Sequence, residues 1–103
     1  MAKTDKVGTH KTAIYNSDGY TCIRYHSTEV VRFNTDEIVL DSGGWHTVTT
    51  KLRMNQASNM FHLGFRVSQR QHEWFVDYYA QGRLTFTFRD GMILERHKEE
   101  EYV

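Results

Sequence analysis

Residues 42–55 read Ser42-Gly43-Gly44-Trp45-His46-Thr47-Val48-Thr49-Thr50-Lys51-Leu52-Arg53-Met54-Asn55 and separate two halves of the chain that are rich in β-branched and aromatic residues. Trp45, Val48 and Leu52 are spaced i, i+3 and i+7, which is typical of the apolar face of a helix. Ser42 is a candidate N-cap, with the glycines giving a sharp entry. The threonines argue modestly against a helix, because β-branched residues disfavour helices. We predict one short helix within residues 45–59.

The residues before this helix predict two successive β-hairpins. Asn16-Ser17-Asp18-Gly19 divides the first hairpin, and Asp-Gly is a favoured hairpin turn because both positions tolerate positive φ. Asn34-Thr35-Asp36 divides the second hairpin. The segments on either side of both turns carry the β-branched and aromatic residues that are common in strands.

The residues after the helix also predict β-strands. Phe61, Leu63, Phe65 and Val67 alternate with polar residues or glycine, which is the pattern of a half-buried strand. Further strand-like segments are 74–79, 84–88 and 92–95. The predicted fold class is therefore α+β: an antiparallel sheet of six to eight short strands, built from successive hairpins and interrupted by one central helix.

The length of 103 residues and an apolar content of 39% suit a single domain, residues 1–103, with one core. The ends, residues 1–8 and 97–103, are predicted to be flexible. The lone cysteine, Cys22, forms no internal disulfide, which favours a reducing compartment. With no apolar signal core and no run of membrane-spanning length, we expect a cytoplasmic protein without a membrane partner.

The charged residues are segregated along the chain. Residues 42–72 contain no Asp or Glu but hold Lys51, Arg53, Arg66 and Arg70, although the whole chain has zero formal net charge. Such a stretch produces a local field that attracts anions. Backbone N–H groups at a helix start behind a Gly-Gly turn also favour negative charge. The predicted ligand- and phosphate-binding residues are Gly43, Gly44, Trp45, His46, Thr47, Thr49, Thr50, Lys51, Arg53, Arg66 and Arg70.

Trp45 has two interpretations that the sequence leaves open. As a ligand-facing residue, it offers a surface on which a nucleic-acid base stacks beside a bound phosphate. In the alternative, Gly43-Gly44 is only a tight turn and Trp45 fills the core beneath the helix. No complete phosphate-binding or dinucleotide fingerprint is present to decide between them.

Catalytic and metal-binding patterns are incomplete. His26-Ser27-Thr28 resembles half of the two-histidine phosphoesterase pattern, which implies acid–base cleavage of a phosphodiester. The second candidate, His46-Thr47-Val48, carries its hydroxyl one residue early. The histidines show none of the spacings typical of a metal site. We therefore predict no catalytic residues, no metal and no cofactor, with a phosphodiesterase using His26 as the third-ranked function.

The stretch 42–55, together with Phe65-Arg66-Val67 and Trp74-Phe75-Val76, resembles an uncharacterised family of small proteins encoded by bacteriophages and prophages. The likeness covers about residues 20–95, and Gly-Gly-Trp-x-Thr-x-Thr-Thr is its most specific part. It implies a phage origin, a bacterial host cytoplasm and action by binding. We expect an accessory protein that binds nucleic acid or a nucleotide phosphate through residues 42–72. The alternative is a protein-interaction factor, such as an inhibitor of a host enzyme or a homodimer.

Overall fold

The computed structural model describes residues 7–80 and 82–96, and these form eight strands and one helix. In chain order the elements are β1 Thr12–Ser17, β2 Tyr20–Tyr25, β3 Thr28–Phe33, β4 Glu37–Leu40, α1 Val48–Phe61, β5 Phe65–Arg70, β6 Glu73–Tyr78, β7 Leu84–Thr87 and β8 Met92–Glu95. All strand pairs are antiparallel. The predicted α+β class, with hairpins and one central helix, is confirmed.

The strands divide into two sheets rather than one. A five-stranded sheet has the order β1-β2-β3-β4-β8, and a three-stranded sheet has the order β5-β6-β7. Asp18 and Gly19 both have positive φ, 51° and 84°, so the predicted Asp-Gly turn between β1 and β2 is confirmed. His26 and Ser27 form a further tight turn between β2 and β3. The two predicted hairpins therefore join into one continuous meander.

The helix starts and ends later than predicted. Thr47, not Ser42, is the N-cap, because the Thr47 hydroxyl accepts a hydrogen bond from the Thr50 N–H at 3.1 Å. The helix extends to Phe61, which was predicted to begin a strand. His62 ends the helix in the left-handed conformation, with φ at 55°. The strand that follows consequently starts at Phe65.

The helix buries a different face from the predicted one. Val48 is 74% exposed and Leu52 is half-buried. The buried side of α1 is largely polar, which is tolerated because its polar groups have partners. The Arg53 guanidinium donates to the Thr12 hydroxyl at 2.9 Å and to Gln56 Oε1 at 3.2 Å. The buried helical residues are Thr50, Arg53, Met54, Gln56, Ala57 and Ser58.

The core lies between α1 and the two sheets. The hydroxyl of Tyr78 on β6 donates to the Glu95 carbonyl on β8 at 3.0 Å and so links the sheets. The predicted flexible ends, residues 1–8 and 97–103, lie mainly outside the described residues. Of the described part, Val7 packs against the core, and the Gly8 N–H donates to Gln56 Oε1 at 3.0 Å. The core residues are Ile23, Val30, Val31, Ile38, Leu40, Met54, Ala57, Leu63, Phe65, Val67, Trp74, Val76, Tyr78, Phe88 and Leu94.

Candidate ligand-binding site

Side chains of α1 complete the hydrogen bonds of the outer edge of β5. The Asn55 amide donates to the Val67 carbonyl at 2.9 Å and accepts from the Val67 N–H at 2.7 Å. The Ser58 hydroxyl likewise donates to the Phe65 carbonyl at 2.7 Å and accepts from the Phe65 N–H at 3.0 Å. The helix therefore occupies the place of a neighbouring strand and satisfies backbone groups that would otherwise lack partners.

An open groove runs between α1 and β5, with these hydrogen-bonded side chains among its walls. Its volume is about 720 Å³, which is within the usual range for ligand-binding cavities. We call this cavity the helix groove. It is lined by Val48, Lys51, Leu52, Asn55, Ser58, Asn59, His62, Gly64, Phe65, Arg66 and Tyr79.

The helix groove carries positive charge from both of its sides. Lys51 lies on the helix and Arg66 on β5, and the described residues that line the groove include no Asp or Glu. Lys51 Nζ donates to the neutral Gln69 Oε1 at 3.1 Å. A cation with only neutral partners keeps its charge available for an anion.

Among the described residues, the acidic residue opposite Arg66 in the sheet forms no ion pair with it. Asp77 lies opposite Arg66 in the β5–β6 ladder. The Asp77 carboxylate instead accepts a hydrogen bond from the Thr85 hydroxyl on β7 at 2.6 Å. Within residues 7–80 and 82–96, an ion pair with a nitrogen–oxygen distance of 4.0 Å or less forms between Arg32 and Glu29, and none forms at Lys51 or Arg66.

The loop before the helix is held by a network around Ser42. Ser42 is buried, and both its N–H and its hydroxyl donate to Asp90 Oδ1, at 2.8 and 2.6 Å. The Ser42 hydroxyl accepts from the Gly44 N–H, and its carbonyl accepts from the Trp45 N–H. Burial acts to raise the pKa of the Asp90 carboxyl, but the two Ser42 donors and nearby His46 outweigh it and lower the pKa. The carboxylate is therefore ionised at neutral pH and orders the loop.

This ordered loop presents Trp45 to solvent. Trp45 is 70% exposed, so the interpretation of Trp45 as a core residue is wrong. Gly43 has φ at 66°, and a Cβ there would lie 2.2 Å from the Thr28 hydroxyl oxygen, so only glycine fits this close approach. Beside the loop is a cavity of about 400 Å³, the Trp45 pocket, lined by Tyr25, His26, Ser27, Thr28, Val30, Ser42, Trp45 and Thr47.

The structure divides the predicted binding residues among several places. Lys51 and Arg66 share the helix groove, whereas Trp45 and Thr47 share the Trp45 pocket. Gly43 and Gly44 shape the loop, Thr49 is half-buried in the first turn of α1, and Thr50 is buried in the helix cap. The ligand-binding role of these residues remains a prediction.

The other predicted residues contact protein aromatic rings. The His46 ring stacks on Trp74 with centroids 4.6 Å apart, and Arg70 lies 4.6 Å from the Phe75 ring centroid. Arg53 is buried beside Tyr25 on the far side of the helix. The four cations of residues 42–72 therefore do not form one continuous surface.

Several groove residues were not predicted from the sequence. Asn55, Asn59 and His62 follow Lys51 at helical spacing, so one stripe of α1 lines the groove. That pattern becomes visible once the helix is known to extend to Phe61. Tyr79 reaches the groove because its N–H donates to the Gly64 carbonyl at 2.9 Å, a long-range pairing without a local signal.

The structure also gives the positions of the candidates for catalysis, metal binding and membrane spanning. His26 lies in the β2–β3 turn with φ at 58°, not within a strand as the phosphoesterase pattern requires. Among residues 7–80 and 82–96, no three His, Cys, Asp or Glu side chains come together as ligands for a metal ion. In the same part of the chain, no helix has the length and apolar character needed to span a membrane.

Comparison with known proteins identifies the family. The family model described as Kyanoviridae Gp96 protein matches residues 1–95. No curated protein and no solved structure matches the chain. The predicted resemblance to a small phage protein family is confirmed by this match, which covers nearly the whole sequence. The chain therefore belongs to the Kyanoviridae Gp96 family of phage proteins.

Proposed function

We propose that this small phage protein binds the phosphate backbone of a nucleic acid in the helix groove, within the cytoplasm of the host cell. One observation carries the proposal: Lys51 and Arg66 line the same groove from two different elements, and none of its described lining residues is acidic. Phosphate contacts of this kind supply affinity and position the ligand without reading its sequence.

The chemistry of the groove suits a chain of phosphates better than a single small anion. Arg66 offers a planar fork of donors, and Lys51 adds a compact positive charge. Asn55 and Asn59 lie along the helix between Lys51 and His62, and the partly exposed Tyr79 adds an aromatic surface. The net charge of zero limits attraction elsewhere on the protein, so binding is expected to be local.

Binding by Lys51 and Arg66 predicts a strong dependence on salt. We expect the affinity of the native protein for a fluorescently labelled oligonucleotide, measured by anisotropy, to fall steadily between about 50 and 200 mM salt. The logarithm of the association constant should decrease linearly with the logarithm of salt concentration. No anisotropy change with either single- or double-stranded oligonucleotides at low salt would refute the proposed function.

A second candidate function, self-association, is favoured by the edge strand β7. This strand ends the three-stranded sheet, and its four residues, Leu84–Thr87, are all exposed and uncharged. Leu84 is 53% exposed, and Ile93 on the neighbouring β8 is 55% exposed. An edge without charged residues is a template for strand pairing, and two copies of β7 would meet without like-charge repulsion. We therefore propose a second copy of this chain as the partner.

Sedimentation equilibrium tests this second candidate. We expect a monomer–dimer equilibrium that Thr85→Lys shifts to monomer, because a lysine on an edge strand opposes pairing with another strand. The matched control is Thr21→Lys on β2, a strand with neighbours on both sides. A native protein that stays monomeric throughout the concentration series would rule out dimerisation through β7.

A further inference from the structure

We infer that the nucleic acid bound in the helix groove is single-stranded and that the Trp45 pocket receives one of its unpaired bases. This inference rests on the proposed function. Its starting point is the position of the two cavities at the beginning of α1: Thr47 lines the Trp45 pocket, and the next residue, Val48, lines the helix groove. The groove follows one side of α1, and the pocket, whose lining includes Tyr25 next to Arg53, lies towards the other side. A strand whose phosphates lie in the groove would therefore reach the pocket by passing around the first turn of the helix.

The lining of the Trp45 pocket fits a planar heteroaromatic ring. Trp45 supplies an exposed indole on a loop that hydrogen bonds hold in place, so little ordering is needed on binding. Buried Val30 supplies an apolar surface, while His26 and Thr28 supply hydrogen-bonding groups. None of the described lining residues is Asp, Glu, Lys or Arg. This combination favours a neutral base with polar edges over an anionic group.

The concave shape of the pocket favours a single strand over a duplex. Bases in a duplex are stacked and paired, and a base must leave the stack before it can enter a cavity. In a single strand, most of this cost is absent, because bases are free to stack on aromatic side chains. The cavity volume of about 400 Å³ is at the small end of ligand sites and is sufficient for one base.

Tryptophan fluorescence tests this inference, because the two tryptophans differ in exposure. Trp45 is 70% exposed and Trp74 is 4% exposed, so a ligand in the pocket should quench mainly Trp45. We expect a dT hexamer to quench the emission and a blunt, GC-rich duplex that stays paired under the same conditions to leave it nearly unchanged. Trp45→Ala should weaken binding of the dT hexamer about 5- to 150-fold, the range for one stacked base. The surface position of Trp45 keeps this variant folded.

The outcomes separate this inference from the proposed function. If the dT hexamer binds but Trp45 emission and the affinity of Trp45→Ala are unchanged, the base pocket is wrong and groove binding stands. Equal affinity for duplex and single strand overturns the preference for single strands. If no oligonucleotide binds but thymidine, which lacks phosphate, quenches Trp45, the pocket binds a base and the proposed function fails. If neither thymidine nor any oligonucleotide gives a response, both the base pocket and the proposed function are refuted.

Discussion

Replacing Ser58 with alanine should lower the free energy of unfolding by about 2–5 kcal/mol, one of the largest effects expected of a single polar substitution in this chain. Ser58 is buried, and its hydroxyl both donates to the Phe65 carbonyl and accepts from the Phe65 N–H. Alanine leaves two buried backbone groups without partners, each at a cost of about 1–3 kcal/mol. The higher helix propensity of alanine offsets only a few tenths of a kcal/mol.

Urea unfolding followed by circular dichroism measures this effect. The matched control is Ser68→Ala. Ser68 is half-buried on β5, the strand that Ser58 contacts, and its hydroxyl has no hydrogen-bond partner among the described residues. We expect the control to change the free energy of unfolding by less than about 0.5 kcal/mol. Equal destabilisation by both substitutions would show that the Ser58 contacts with β5 do not hold the helix in place.

The sequence predicts the antiparallel hairpins well because their signals are local. The Asp18-Gly19 turn requires positive φ at two adjacent positions, and few dipeptides tolerate it. The division into two sheets was not predicted, because its signals are not local. It depends on β8 pairing with β4 across more than fifty residues, and no local pattern in Met92–Glu95 specifies that partner.

The helix shows why an apolar pattern can mislead. Trp45, Val48 and Leu52 suggested a buried face, but the helix begins after Trp45 and leaves Val48 exposed in the groove. The buried face instead contains Arg53, whose guanidinium is paired by residues distant in sequence, such as Thr12. Polar residues that are satisfied by long-range partners cannot be recognised as buried from periodicity alone.

The geometry of the candidate site was predicted in part. Lys51 and Arg66, two cations of the acid-free residues 42–72, line the same groove, whereas their role in binding remains a prediction. The positions of charged residues along a sequence do not show which way their side chains point, however. Arg53 points to the core and Arg70 lies over Phe75, because the helix and strand periods place neighbouring cations on different faces.

Removing both groove cations should cause the largest change in ligand affinity. We expect Lys51→Ala combined with Arg66→Ala to weaken oligonucleotide binding about 10- to 100-fold, since two phosphate contacts of about 0.7–1.4 kcal/mol each sum to about 1.4–2.8 kcal/mol. The salt slope for a single strand should also decrease by about 1.4, or about 0.7 for each lost contact. Neither cation forms an ion pair among the described residues, so the fold should tolerate the change.

The most direct test is the affinity of this double variant beside that of Arg83→Ala with Arg89→Ala, measured by anisotropy with the same oligonucleotide and salt series. Both control arginines are exposed and lie outside the helix groove, and the two variants lose the same charge. The groove account predicts a large loss of affinity and a reduced salt slope for the Lys51 and Arg66 variant, with little change for the control. Equal losses in the two variants would contradict it, because binding would then depend on overall charge.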